Sequence, residues 1–169
     1  MKKIILFLLL ISLFLSCKKN NMLELEPIVM QDISAERLWQ RIKGEQEYKK
    51  YSFWPGHEGE QPGQSPHGNY HMIFINPTLR NSLPLESKTA PYGSIIVKEN
   101  CDANKVTKML TVMAKVEGYS PETNDWFYAK FGLDGEVLAE GNIQGCVNCH
   151  KLMQKNDYIF VRQLDKPLQ

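Results

Sequence analysis

The chain has 169 residues, with 20 Lys and Arg against 19 Asp and Glu and a formal charge of +1. A balance this even, with no basic cluster beyond a short lysine pair near the N-terminus, gives nucleic acid no electrostatic footprint. The length suits one ordinary domain with a modest core, and no internal repeat divides it.

The first element is an export signal. Lys2 and Lys3 form a positive end, and residues 4–15 are an almost unbroken apolar run. As a helix that run is about 18 Å long, well short of a hydrocarbon core of about 30 Å, so it reads as a signal and not as a transmembrane anchor. It ends Leu13-Phe14-Leu15-Ser16-Cys17, which has the shape of a bacterial lipobox, although Phe14 and Leu15 are bulkier than is usual there. The expectation is a signal peptide over residues 1–16, a lipidated Cys17 as new N-terminus, and a tether over residues 17–33 that starts with Lys18-Lys19-Asn20-Asn21. The plainer alternative is an ordinary secretory signal with a cysteine near the cut. Two or more acyl chains anchor stably, at about 0.8 kcal/mol per buried methylene. The protein is then exported and held on the periplasmic side of a bacterial membrane. Loss of Lys2 and Lys3 brings the mature charge near −1.

Residues 34–169 form the folded domain. Asp32 or Ser34 caps a helix that carries Leu38, Trp39 and Ile42 on one face and turns Arg41 and Lys43 outward. The helix fades by Tyr48, and residues 51–56 end it. Residues 55–68 are rich in Gly, Pro, Gln and His without periodicity, and read as a loop. Residues 70–75 are a strand stopped by Asn76-Pro77, and residues 94–99 a second one. Over residues 106–116, Leu110, Val112, Ala114 and Val116 alternate with Thr111, Met113 and Lys115, which predicts a half-buried antiparallel strand. Residues 125–131 and 136–139 are two more, joined through Asp134-Gly135. A short helix over residues 143–154 and an extended segment over 158–161 complete the chain. The fold class expected is α+β, mostly antiparallel β.

The predicted C-terminal helix holds Cys146-Val147-Asn148-Cys149-His150. C-x-x-C-H is the attachment signature of c-type haem: two thiols reach the two vinyl groups of one porphyrin, and the histidine offers iron an imidazole nitrogen. Zinc would need a second ligand pair, and the remaining Cys101, His57, His67 and His71 contain no second C-x-x-C. A thioredoxin-like pair belongs early in a βαβ unit, not near the C-terminus of a strand-rich chain. A structural disulfide across so short a loop does not ask for the adjacent histidine. One covalent haem c per chain is the expectation, with Cys146, Cys149 and His150 as its residues. Haem is attached to such motifs outside the cytoplasmic membrane, the compartment that the export signal implies.

Several short motifs stand in a telling order: Trp54-Pro55-Gly56, Pro66-His67-Gly68, Ile75-Asn76-Pro77, Gly93-Ser94-Ile95-Ile96-Val97-Lys98-Glu99, Asp125-Trp126-Phe127-Tyr128, the haem motif, and Asp157-Tyr158-Ile159-Phe160. In that order they resemble the cytochrome P-460 family, which includes the gas-binding cytochromes c′-beta, over about residues 50–161. The resemblance implies a curved antiparallel sheet with a few helices around one c-type haem, often as a homodimer. It implies iron bound by His150, with the distal side open or holding only water. It implies two branches of activity: hydroxylamine oxidation, with a lysine bonded to the porphyrin edge, or binding of nitric oxide and carbon monoxide in an apolar pocket. Lys88 is the only lysine in the interval where the resemblance places the cross-link, several residues later than the simple equivalents Pro84 and Leu85. The catalytic branch also uses a distal carboxylate, for which no glutamate of this chain is matched.

Other residues compete for the site. His57, His67 and His71 are each candidates for a sixth iron ligand, which would make the protein an electron carrier. Met109 and Met113 share a strand face, where methionine is more often core filler. Trp54, Phe74, Trp126 and Phe127 are candidate pocket walls, and Cys101 is expected as a free thiol. Three functions follow: a five-coordinate haem binding small gases or nitrogen species, an enzyme acting on hydroxylamine or peroxide, and a six-coordinate carrier. All imply a small ligand or a redox partner protein, with no nucleic acid.

Overall fold

The computed structural model describes residues 33–45, 47–161 and 164–166. The expected signal peptide, Cys17 and the tether up to residue 32 lie outside the described residues. Among those described, no helix is long and apolar enough to cross a membrane.

Among the described residues, seven strands make one open antiparallel sheet: β1 (Ser52–Phe53), β2 (Gln61–Pro62), β3 (Tyr70–Ile75), β4 (Ile95–Cys101), β5 (Thr107–Lys115), β6 (Trp126–Phe131) and β7 (Val137–Gly141). Their order is β1-β3-β4-β5-β6-β7, with β2 also paired to β3. From β3 to β7 every strand lies beside its predecessor, the meander that the regular spacing of strand and turn signals predicts. Register slips at Asn100/Cys101 and Lys130/Phe131 mark β-bulges. Among the described residues, three short α-helices accompany the sheet: α1 (Ala35–Gln40), α2 (Pro77–Ser82) and α3 (Gln144–His150). The fold is α+β and mostly antiparallel β, as expected.

Local chemistry sets each helix. Of the two candidate caps for α1, Ser34 fills the role, its Oγ accepting from the Arg37 N–H at 3.2 Å. After Gln40 the chain passes into a π-type turn over Arg41–Glu45. Helix α2 was not expected, because Asn76-Pro77 reads as a strand stop. It is equally a helix start, with the Asn76 side chain accepting from the Leu79 N–H and Pro77 in the first turn. The same Asn76 accepts from the Ile95 N–H at 3.0 Å and donates to the Gly93 carbonyl at 2.8 Å, tying the end of β3 to the start of β4.

Side chains alternate across each strand, so the sheet has two faces. On one, Phe74, Val97, Val112 and Ala129 pack with Leu38 of α1 and Ile42 of the π-type turn that follows it. On the other, Ile73, Ile75, Ile96, Met113 and Trp126 pack with Trp54, Leu79 of α2 and the C-terminal Ile159. Strand β5 therefore differs from the expectation. Leu110, Val112, Ala114 and Val116 face the first cluster as their alternation predicts, but Met113 and Lys115 on the opposite side are buried too. A buried lysine is sustained by a buried counter-charge, and Lys115 Nζ lies 2.7 Å from Asp157 Oδ1, with side-chain exposures of 2% and 0%.

The final extended segment is a second correction. Residues 158–161 form no strand; Asp157 and Tyr158 are both left-handed, with φ of 52° and 63°. Buried bonds explain why the chain turns there. Asp157 Oδ1 also accepts from Asn124 at 2.6 Å, Oδ2 accepts from the Ala90 N–H at 2.8 Å, and its carbonyl accepts from Trp126 Nε1 at 2.9 Å. This network fixes a conformation that L-residues otherwise avoid.

Candidate functional site

Helix α3 begins after Ile143 and runs to His150, then tightens into a 3-10 turn over Lys151–Asn156. Positions i, i+3 and i+4 share a helix face, so Cys146, Cys149 and His150 present two sulfurs and one imidazole in one direction. That face opens on a cavity of about 350 Å³, and all three residues line it. Both thiols are free of any disulfide, Cys146 half-buried and Cys149 exposed. Burial pushes the Cys146 thiol above its ordinary pKa.

The left-handed turn at Tyr158 now finds its purpose. The Tyr158 carbonyl accepts a hydrogen bond from His150 Nδ1 at 2.7 Å. An imidazole committed at Nδ1–H carries its lone pair on Nε2, the tautomer a metal requires, and the bond also fixes the ring's direction. Burial lowers the His150 pKa, and the Tyr158 bond only partly opposes it. The ring sits among three others: Phe160 at 5.3 Å between centres, Tyr128 at 5.5 Å and His67 at 6.4 Å, the last at an interplanar angle of 84°.

The cavity is lined by both apolar and polar side chains. Ile73, Ile96, Met113, Ile159, Phe160 and Val161 are among the first kind; Gln64, Ser65, His67, His71, Lys98 and Thr111 are among the second. Among the described residues lining it there is no Asp or Glu. His67 is held from behind by Asn100. The Asn100 Nδ2 donates to the Met109 carbonyl, so its Oδ1 is the acceptor and His67 Nδ1, 3.0 Å away, is the donor. Its Nε2 is therefore left as a lone pair, like that of His150. Burial above all pushes the His67 pKa down to about 4, so the ring is neutral. Gly68 allows this placement: its φ is +82°, and a Cβ there would collide with the Cys101 carbonyl. His71 reaches the cavity from β3, with its Nδ1 buried and unpartnered.

These residues suit a haem. Two free sulfurs and an Nε2 lone pair converge from one helix face, and the adjoining walls are largely aliphatic. Two of the buried polar atoms left without a partner, His71 Nδ1 and the Tyr128 hydroxyl, belong to residues that line this cavity. Orphaned buried polar groups are costly unless something absent from the protein chain meets them.

Other expectations fare differently. Lys88 lies outside the cavity, on the surface, its Nζ 3.1 Å from Asp165 Oδ2. The lysine that does line the cavity is Lys98 of β4. His57 is not among the lining residues, and Met113 is while Met109 is not. None of the four aromatic wall candidates lines the cavity: Trp54 and Trp126 lie in the cluster beneath it, and Phe74 and Phe127 on the opposite face of the sheet. The aromatic walls are Tyr128 and Phe160, both inside motifs visible in the sequence. Cys101 is a buried free thiol beside Thr107, at 3.6 Å from its hydroxyl.

Comparison with known proteins agrees with this geometry. The profile of the family described as Cytochrome P460 matches residues 45–161. No curated protein matches the chain.

Proposed function

The chain belongs to the cytochrome P460 family, and from that premise we propose that it is an exported, lipid-anchored monohaem c-type cytochrome whose iron binds small ligands such as nitric oxide or carbon monoxide. The carrying observation is that Cys146, Cys149 and His150 open together on one cavity, with His150 Nδ1 already committed to Tyr158. Cys146 and Cys149 would form the two thioethers, and His150 Nε2 would take the iron. Bound there, haem supplies an iron that cycles between ferrous and ferric states and accepts a further axial ligand. The chain's own part is to hold the imidazole in one tautomer and direction and to keep bulk water off with Ile96, Met113 and Phe160. Cys17 would anchor the domain, and a redox partner would meet the exposed Leu152 and Phe160 beside the motif. The resemblance also suggests a homodimer.

A second reading is favoured by His67. Two imidazoles on one metal place their ring centres about 6 Å apart, given about 2 Å to each ligating nitrogen. The 6.4 Å between His67 and His150, each with Nε2 free, meets that distance. Such a protein would be a six-coordinate electron carrier. The hydroxylamine-oxidising reading has less support, since no described carboxylate lines the cavity to accept a proton.

The reduced absorption spectrum, recorded before and after carbon monoxide, separates the first two. A rapid change in the wild type supports the open site. No change in the wild type, with a rapid one in His67→Ala, replaces it with the six-coordinate carrier.

A further inference from the structure

Helix α3 and the turn after it carry charge of one sign. From Gly141 to Asn156 the chain has no acidic residue, and Asp157 is buried on Lys115. Lys151 and Lys155 are both exposed. Lys88, Lys105 and Lys108 each meet a carboxylate, whereas Lys151 and Lys155 meet none among the described residues. Leu152, next to Lys151, is 79% exposed, and Phe160, its ring centre 5.3 Å from that of His150, is 47% exposed. The exposed Leu133 and Leu138 contrast with them, since in the sequence they stand among Asp134, Glu136 and Glu140.

Cys149 and Phe160 line the cavity and are also exposed, so the cavity reaches the surface at this patch. A haem held by Cys146, Cys149 and His150 would bring its thioether edge nearest to solvent there. Electron transfer falls steeply with distance, so a partner gains most by docking at that edge. We propose that this patch is the docking face for an acidic electron-carrier protein, with Leu152 and Phe160 as its apolar centre and Lys151 and Lys155 on its rim. The inference rests on the haem reading and adds to it the partner's chemistry and place. In the complex one electron passes between the partner's redox centre and the haem; one is oxidised as the other is reduced, and no bond forms or breaks. Opposite charge on the partner speeds encounter and fixes orientation, and a small apolar centre suits a brief contact. Membrane binding scales with buried apolar area, of which two side chains offer little.

The test uses holoprotein exported behind an ordinary secretory signal with Cys17→Ser, so that no acyl chain intervenes. Haem absorbance is checked first: a colourless wild type sinks the haem reading and this inference with it, whereas the outcomes below, in coloured protein, bear on the patch alone. The probe is plant-type ferredoxin, an acidic one-electron carrier, and the methyl viologen radical cation is a reductant of opposite charge. Calorimetry gives the affinity of oxidised ferredoxin for the ferric holoprotein, and stopped flow gives the rate of haem reduction by each reagent, both against ionic strength. Lys151→Glu/Lys155→Glu should weaken the affinity and slow ferredoxin by about tenfold or more at low salt, and the difference should fade at high salt. Reduction by methyl viologen should not slow. Leu152→Ser should weaken the affinity and leave its salt dependence unchanged. Lys43→Glu/Lys50→Glu, an equal reversal on the α1 side of the sheet, should change little. If that remote reversal acts as strongly, net charge alone is at work and the patch is overturned. It is also overturned if affinity and rate ignore the reversal at Lys151 and Lys155, and binding to phosphatidylglycerol vesicles that this reversal abolishes would then make the patch a membrane face. Lys151→Gln/Lys155→Gln, which removes charge without reversing it, should give intermediate values and keeps the test decisive should the reversal disturb the fold.

Discussion

At the residue scale, the centre of the site depends on a group that never touches the cavity. Asp157 holds Lys115, Asn124, the Ala90 amide and, through its carbonyl, Trp126. Those bonds keep it and Tyr158 left-handed, and the Tyr158 carbonyl in turn fixes His150. Asp157→Ala leaves the Lys115 charge buried and alone, so unfolding by denaturant should show a loss of about 3–5 kcal/mol. The double variant Lys115→Met with Asp157→Asn should recover part of that loss, and equal losses would mean that the ion pair is not the cause. A second residue reports on pH. Burial, helped by nearby Lys98 and His57, pushes His71 down to about 4 from its ordinary 6.5. Its folded-state pKa is depressed, so the unfolded chain takes up the proton first as pH falls. Stability from this group is complete above about 6.5 and is lost as pH falls toward 4. Denaturation midpoints of the haem-free Cys146→Ala/Cys149→Ala variant should thus fall less steeply with acid after His71→Phe; identical slopes would contradict the burial argument.

At the scale of elements, what was legible in the sequence was what period and punctuation carry. The alternation of Leu110, Val112, Ala114 and Val116 announces β5 and its inner face, and Asp134-Gly135 announces the turn into β7. Ser34 announces the start of α1. The burial of Lys115 was not legible, because a lysine in an alternating strand looks solvent-facing until its counter-ion, 42 residues away, is placed. The turn at residues 157–158 was hidden for a similar reason: Tyr158-Ile159-Phe160-Val161 has β-forming side chains, and only the tertiary bonds of Asp157 override them. Helix α2 was missed because Asn-Pro signals both a strand end and a helix cap. In the site itself, spacing gave Cys146, Cys149 and His150, but the cavity walls depend on strand parity and register, which brought in Tyr128 and left Phe127 on the other face. The loop before β3 is a case where backbone form sets chemistry. Gly68→Ala must place a Cβ at positive φ against the Cys101 carbonyl, so it should cost about 1–3 kcal/mol in denaturation and alter the environment of His67. Stability and His67 ring resonances both unchanged would show that the close approach is not required.

At the scale of the molecule, the sheet is a partition. One face is closed by α1 over an aliphatic and aromatic cluster, and the other carries the cavity together with the C-terminal segment. Cys146, Cys149 and His150 come late in the chain, whereas the cavity they face is walled by residues of β3, β4, β5 and β6. The site is therefore assembled only when the long-range strand pairings are made. The proposed lipid anchor at Cys17 would add position, not chemistry, to this arrangement. The central claim is covalent attachment of one haem through Cys146 and Cys149. Intact mass analysis of the exported protein, purified from cells that mature c-type cytochromes, tests it most directly. The account predicts a mass increase of one haem that survives acid denaturation and is lost in the Cys146→Ala/Cys149→Ala variant. A colourless product at the mass of the bare chain, with both thiols still open to alkylation, would contradict it.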